Sequence, residues 1–217
     1  MKYVFRSLFA FAVLAASSIF APGIVGATVV KQFALKELVD TATKAIHVKV
    51  TKAEAAYDAD KKRIWTTYTL TVLDTLKGEN AETLEVRVRG GAVGNRAQHV
   101  AGAAHMEAGK EYVLFVGIDN EQKNQVVGMS QGRFSVAREE GKIATVANSL
   151  KDMRVADKQG NVKAPDKENP ISNTLDDFKR EVRKLAGTLP KDEEKKDGAA
   201  SKAAKADTAT SNGKESE

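Results

Sequence analysis

His47, His99 and His105 are the only imidazoles in this 217-residue chain. Three imidazoles with one open position can make a catalytic zinc site. Their spacing does not favour one. His99 and His105 lack the i, i+4 separation that puts two ligands on one helix face, no HExxH is present, and His47 falls in an alternating strand pattern. They read as solvated side chains, and no metal is expected. Ser130 and Ser135 stand near glycines, but neither occupies a G-x-S-x-G elbow and neither has a recognisable base. Gly90-Gly91-Ala92-Val93-Gly94 resembles a phosphate cradle, yet such loops work by opening a helix, and no helical pattern follows. With no catalytic or cofactor-binding motif, the chain is read as non-enzymatic and without cofactor.

Binding chemistry has more to stand on. Arg87, Arg89 and Arg96, with Trp65 and Tyr68 on a neighbouring strand, make the basic-plus-aromatic pattern by which OB-type barrels hold single strands. Trp65 is the only tryptophan, and the formal charge is only +5, two units of which belong to Lys2 and Arg6. Nucleic acid usually meets a more concentrated basic footprint, so a protein or envelope partner is the better expectation. The segment from Gly90 to Gly109 carries Arg96, Gln98, His99 and His105. Irregular loops beyond about 12–15 residues are uncommon unless functional or disordered. The alternative is a crossing connection with an irregular strand near Arg96 to Val100. The candidate partner-binding set is therefore Trp65, Arg87, Arg89, Arg96, His99 and His105.

The elements that must position these residues read mainly as strands. Ala45 to Glu54 alternates, with Ile46, Val48 and Val50 on one face and His47, Lys49 and Thr51 on the other. Arg63 to Leu76 is rich in β-branched and aromatic residues but alternates imperfectly, and Lys77-Gly78 ends it with a turn. Thr83 to Arg89 alternates cleanly. Tyr112 to Ile118 is apolar on both faces, as in a strand covered on each side. Gln125 to Met129, Arg133 to Ala137 and Lys142 to Val146 follow, with bends at Gly128 and Gly132. A short helix is expected within Phe33 to Ala42. An amphipathic helix is expected over Thr174 to Ala186, with Leu175, Phe178, Val182 and Leu185 on one face, Thr174 as its cap and Gly187 as its stop. Together these predict a small antiparallel OB-like β-barrel flanked by short helices.

The ends differ from this middle. Lys2 and Arg6 precede an apolar run from Leu8 to Ile19, and Val25-Gly26-Ala27 suits a cleavage site. Residues 1–27 thus read as a secretory signal peptide, too short for a membrane span that needs about 20 apolar residues. No second such run follows. The chain has no cysteine, so neither disulfides nor a lipidated cysteine can hold or anchor it. From Lys191 onward there is no aromatic residue and no Leu, Ile, Val or Met. Residues 191–217 read as a disordered polar tail, because they bury too little to offset the entropy of ordering. One domain, residues 28–190, remains.

The succession LKELVDTATKAIHVKV, IWTTYTLTVLDTLKG, RGGAVG, AGKEYVLFV, VVGMSQGRFSV and TLDDFKREVRKLA resembles a group of exported bacterial proteins of unknown function. Its most specific pieces are Leu76-Lys77-Gly78 and the run from Gly128 through Gln131-Gly132 to Phe134. More distantly, the order of elements is similar to the inhibitory domain of tissue inhibitors of metalloproteinases and the netrin module, which are OB-type barrels. That likeness implies a peptidase-inhibitor module as an alternative function. The zinc-binding amino-terminal cysteine of those inhibitors has no counterpart here. The leading expectation is an exported, periplasmic or secreted, non-enzymatic binding module. A metal-dependent hydrolase ranks last.

Overall fold

The computed structural model describes residues 29–148, 150, 154–156, 162–163 and 173–190. The expected signal peptide and polar tail lie outside the described residues. In chain order the elements are β1 (Val29–Lys31), α1 (Leu35–Thr41), β2 (Lys44–Tyr57), β3 (Ile64–Lys77), β4 (Thr83–Arg89), β5 (Gly91–Val93), β6 (Arg96–Gln98), β7 (Glu111–Ile118) and β8 (Asn124–Val126). A 3-10 turn (Met129–Gly132), β9 (Arg133–Ala137), β10 (Thr145–Ala147), β11 (Arg154–Ala156), β12 (Val162–Lys163), β13 (Asn173–Thr174) and α2 (Leu175–Ala186) follow among the described residues. Among the described residues the protein is mainly β, with two α-helices.

The principal sheet is antiparallel and runs β13-β10-β9-β7-β2-β3-β4, with β8 beside β9 on the same edge of β7. A small sheet places β1 parallel to β11, and β5 pairs with β6. Among the described residues no strand pairing joins β4 to β8, so backbone hydrogen bonds do not close a barrel. The sheet does curl until the two edges meet, where Asn124 Nδ2 donates to the Glu85 carbonyl at 2.9 Å.

Each face of the sheet carries its own core, the outer one only where the helices pack. On one face Ala45, Leu76, Val113, Phe115, Phe134 and Val146 meet Leu38 and Val39 of α1 and Leu175, Phe178 and Val182 of α2. Phe134 and Phe178 have ring centroids 4.8 Å apart, and Phe115 meets Phe134 edge-on at 5.7 Å. Inside the curl, Ile46, Val48, Val50, Tyr68, Leu70, Val86, Leu114 and Val116 close on Ala104 and Met106. The doubly apolar run of β7 is thus split between the two cores, Val113 and Phe115 to one, Tyr112, Leu114 and Val116 to the other.

The imperfect alternation of β3 has a physical cause. Register shifts leave Leu73 and Leu76 of β3, and Thr51 of β2, without cross-strand partners. Each extra residue flips the side chains beyond it to the opposite face. As a result Asp74 sits opposite His47, on the face that carries α2. Gln131 ties the amino-terminal segment to the sheet. It accepts from the Phe33 N–H at 2.8 Å and donates to the Lys31 carbonyl at 2.8 Å.

Candidate functional site

Trp65 of β3 pairs across to Arg89 of β4, and Thr67 pairs to Arg87. Alternation puts all four on the outer surface of the curl. The Arg87 guanidinium lies 4.3 Å from the Trp65 ring centroid and that of Arg89 lies 5.9 Å away. This is cation–π range. Arg87 is fixed from the other side as well. Its Nε donates to Asp119 Oδ2 at 2.9 Å, its Nη2 to the same oxygen at 2.5 Å, and its Nη1 to Glu121 Oε2 at 2.8 Å. Asp119, just past β7, also accepts the Glu121 and Lys123 N–H groups on Oδ1 and Gln125 Nε2 on Oδ2. Burial works against its charge, but the bonds from Lys123, Arg87 and Glu121 hold its carboxyl below the usual range.

A cleft of about 550 Å³ opens over this surface, between two hairpin tips. Tyr57, Asp58 and Arg63 come from the β2–β3 tip, and Glu121, Lys123 and Asn124 from the β7–β8 tip. Trp65, Thr67, Glu85 and Arg87 line it from the strands between. The β2–β3 tip is held by Asp58, whose Oδ1 accepts the Lys62 and Arg63 N–H groups at 2.8 and 3.1 Å. Three cations and three carboxylates face this space, so it carries almost no net charge.

The segment from Gly90 to Gly109 begins with the β5–β6 hairpin, which folds back on β2 and β3. Gly91 is needed there. Its φ is +132°, and a Cβ would come within 2.4 Å of Thr66 Oγ1 and 3.1 Å of the Ala55 methyl. Gln98 Oε1 accepts the Ile64 N–H at 2.6 Å. Further on, Ala104 and Met106 enter the core. Tyr68 Oη accepts the Met106 N–H at 3.2 Å, and Tyr112 Oη accepts the Glu107 N–H at 3.0 Å. Arg96 and His99 remain exposed, whereas His105 is half-buried and its carbonyl accepts from Arg133 Nη1 at 2.6 Å. Burial, His99 and Arg133 all hold the His105 imidazole below its ordinary pKa. Of the six expected residues, Trp65, Arg87 and Arg89 come together, while Arg96, His99 and His105 follow the hairpin and the segment that plugs the curl.

Reading His47 as solvated is incorrect. It is 2 % exposed, covered on the face that carries α2. Its Nε2 lies 3.0 Å from Glu111 Oε2, and that oxygen also accepts Arg138 Nε at 2.9 Å. Burial first, then Lys179, push the His47 pKa down against the opposing pull of Glu111. Burial acts to raise the Glu111 carboxyl, but the bonds from Arg138 and His47 keep it below its ordinary value. A carboxylate only accepts, so Nε2 carries the proton and donates. Nδ1 is then a buried acceptor with no partner among the described residues. Glu111 and Arg138 border a cleft of about 450 Å³, but His47 is not among its lining residues. Alternation puts His47 on the face of Ala45, but only the structure shows that the helices cover that face.

No group of three or more His, Asp or Glu able to hold a metal occurs among the described residues. Among those residues no helix is long and apolar enough to cross a membrane. No protein-family model and no curated protein sequence matches the chain.

Proposed function

We propose that the chain is an exported, non-enzymatic binding module, an OB-like barrel whose seam is held by side chains, and that it meets a polar envelope component in the cleft over Trp65. The observation that carries this reading is the pre-set aromatic and guanidinium surface. Arg87 is locked by Asp119 and Glu121 before any ligand arrives, so little side-chain entropy is lost when a partner stacks there. The curled sheet with a cleft on its outer strands is the way OB-type barrels present ligand surfaces. Balanced charge in the cleft favours a component of near-zero net charge over a polyanion, whose binding draws on net positive charge.

Trp65 is the only tryptophan, so the protein's tryptophan emission comes from a ring that lines this cleft. Titration of the processed protein with soluble cell-wall saccharides and uncharged envelope peptides is expected to give a saturable change in that emission. Tyr57→Ala with Arg63→Ala should weaken the binding by about tenfold or more, the scale of losing a stacking and a charged hydrogen-bonding group. Emission that stays flat across the panel, or binding that ignores both substitutions, sinks the assignment.

A further inference from the structure

The curl leaves a second space at its seam, separate from the Trp65 cleft in all but one shared wall. Where β4 parts from β8, a cavity of about 230 Å³ is lined by Val88, Val100, Ala103, Ala104, Val126 and Met129. Arg87, Arg89 and Gln125 complete the lining. We infer that this seam cavity is a binding site for a short, free aliphatic carboxylic acid.

Size comes first. Drug-sized ligands occupy pockets of roughly 300–1,000 Å³, so this space takes a fragment: one short, branched or straight acyl chain. The void persists because small residues, Ala103 and Ala104, stand where larger ones would fill it. Across it the chain is bent sharply, with Gly128 at φ +64° and Met129 at φ +62°. A left-handed methionine costs of order 1–3 kcal/mol, and such strain collects at ligand clamps.

Charge decides the head group. Arg87 already has two carboxylates, and Gln125 Nε2 is committed to Asp119. Arg89 is exposed and forms no ion pair among the described residues. Of the two charged side chains that line the cavity, the one without an ion-pair partner is therefore Arg89, a cation beside an apolar wall. An apolar chain ending in a carboxylate satisfies both, whereas an alcohol satisfies only the wall and an amine opposes Arg89. An acyl amino acid, the mimic of a peptide carboxy terminus, carries an extra amide that this small space does not pair.

The test uses the processed protein labelled with 13C at methionine methyls, reading the Met129 resonance, assigned through Met129→Leu. Titration with 4-methylpentanoate is expected to shift it saturably, with the matching alcohol at least about tenfold weaker, as loss of a charge-assisted bond implies. Arg89→Gln should weaken the acid about tenfold and leave the alcohol unchanged. Ala103→Leu should abolish both while the melting transition persists. Equal binding of acid and alcohol, indifference to Arg89→Gln, tighter binding of N-acetylleucine, or no saturable shift would each overturn the assignment. These readouts concern Met129, not Trp65, so they fail or succeed independently of the cleft.

Discussion

At pH 7 His47 is uncharged, because burial and the nearby Lys179 both oppose an added positive charge. The groups that face it are Glu111, Arg138 and Lys179, with Asp74 opposite on β3. Unfolding frees the imidazole to take a proton near its ordinary pKa of about 6.5. Between that value and the lower folded one, the unfolded state binds more protons. Stability therefore falls as pH drops from about 6.5 and levels off below the folded pKa. His105 is shifted in the same direction and adds to the same window. Glu111 acts in a different one: its folded pKa is depressed, so its contribution is complete above about 4.5 and is lost as pH falls through the folded value. Thermal melts followed by circular dichroism are expected to show the melting temperature declining as pH is lowered from about 6.5. His47→Gln combined with His105→Gln should flatten that decline and leave the one below about pH 4.5 in place. A wild-type melting temperature that does not change across the upper window would refute the neutral, buried assignment.

Helix α2 was legible residue by residue, because its signals are local. Thr174 Oγ1 accepts the Asp177 N–H at 3.1 Å, Leu175, Phe178 and Val182 face the core, and Gly187 ends it at φ +68°. Thr174→Ala is expected to cost about 1 kcal/mol, as lost caps do. Phe178→Ala, which opens the three-ring cluster, should cost about 3–5 kcal/mol. Chemical denaturation with an unchanged m-value checks both, and equal effects of the two would contradict the packing. Strands β4 and β9 also fell where alternation put them, since each shows one covered face. The bulges at Thr51, Leu73 and Leu76 were not visible, because an extra residue changes register without changing composition. The expected strand from Gln125 to Met129 ends at Val126, because Gly128 and Met129 turn left-handed. The burial of His47 was hidden for a longer-range reason. Alternation tells which side chains share a face, but not that a helix more than a hundred residues later will cover it.

In the whole molecule, the β4–β8 seam is where the curl is held least by backbone. Every other neighbour in the curl is joined by a ladder, with β2 pairing along its length to β3 and over its first half to β7. The seam has Asn124 to the Glu85 carbonyl and the Arg87 bridges to Asp119 and Glu121. Side-chain bridges at partly exposed positions are worth about 1–2 kcal/mol in total, well below the global stability of an ordinary domain. Local opening at the seam should therefore precede global unfolding. Native-state hydrogen exchange is expected to show the Thr83–Arg89 amides that pair with β3 exchanging faster than those of Glu111–Ile118. Arg87→Gln should speed β4 by roughly tenfold while leaving β7 near its wild-type rate, the ratio that about 1.4 kcal/mol of lost bridging produces. If β4 and β7 instead exchange together at the rate of global unfolding, and the substitution slows or speeds both alike, the two edges are cooperatively joined and the seam is not a separate opening unit. The same measurement bears on both spaces beside Arg87. A seam that opens locally gives small ligands a route to the apolar cavity without unfolding either core.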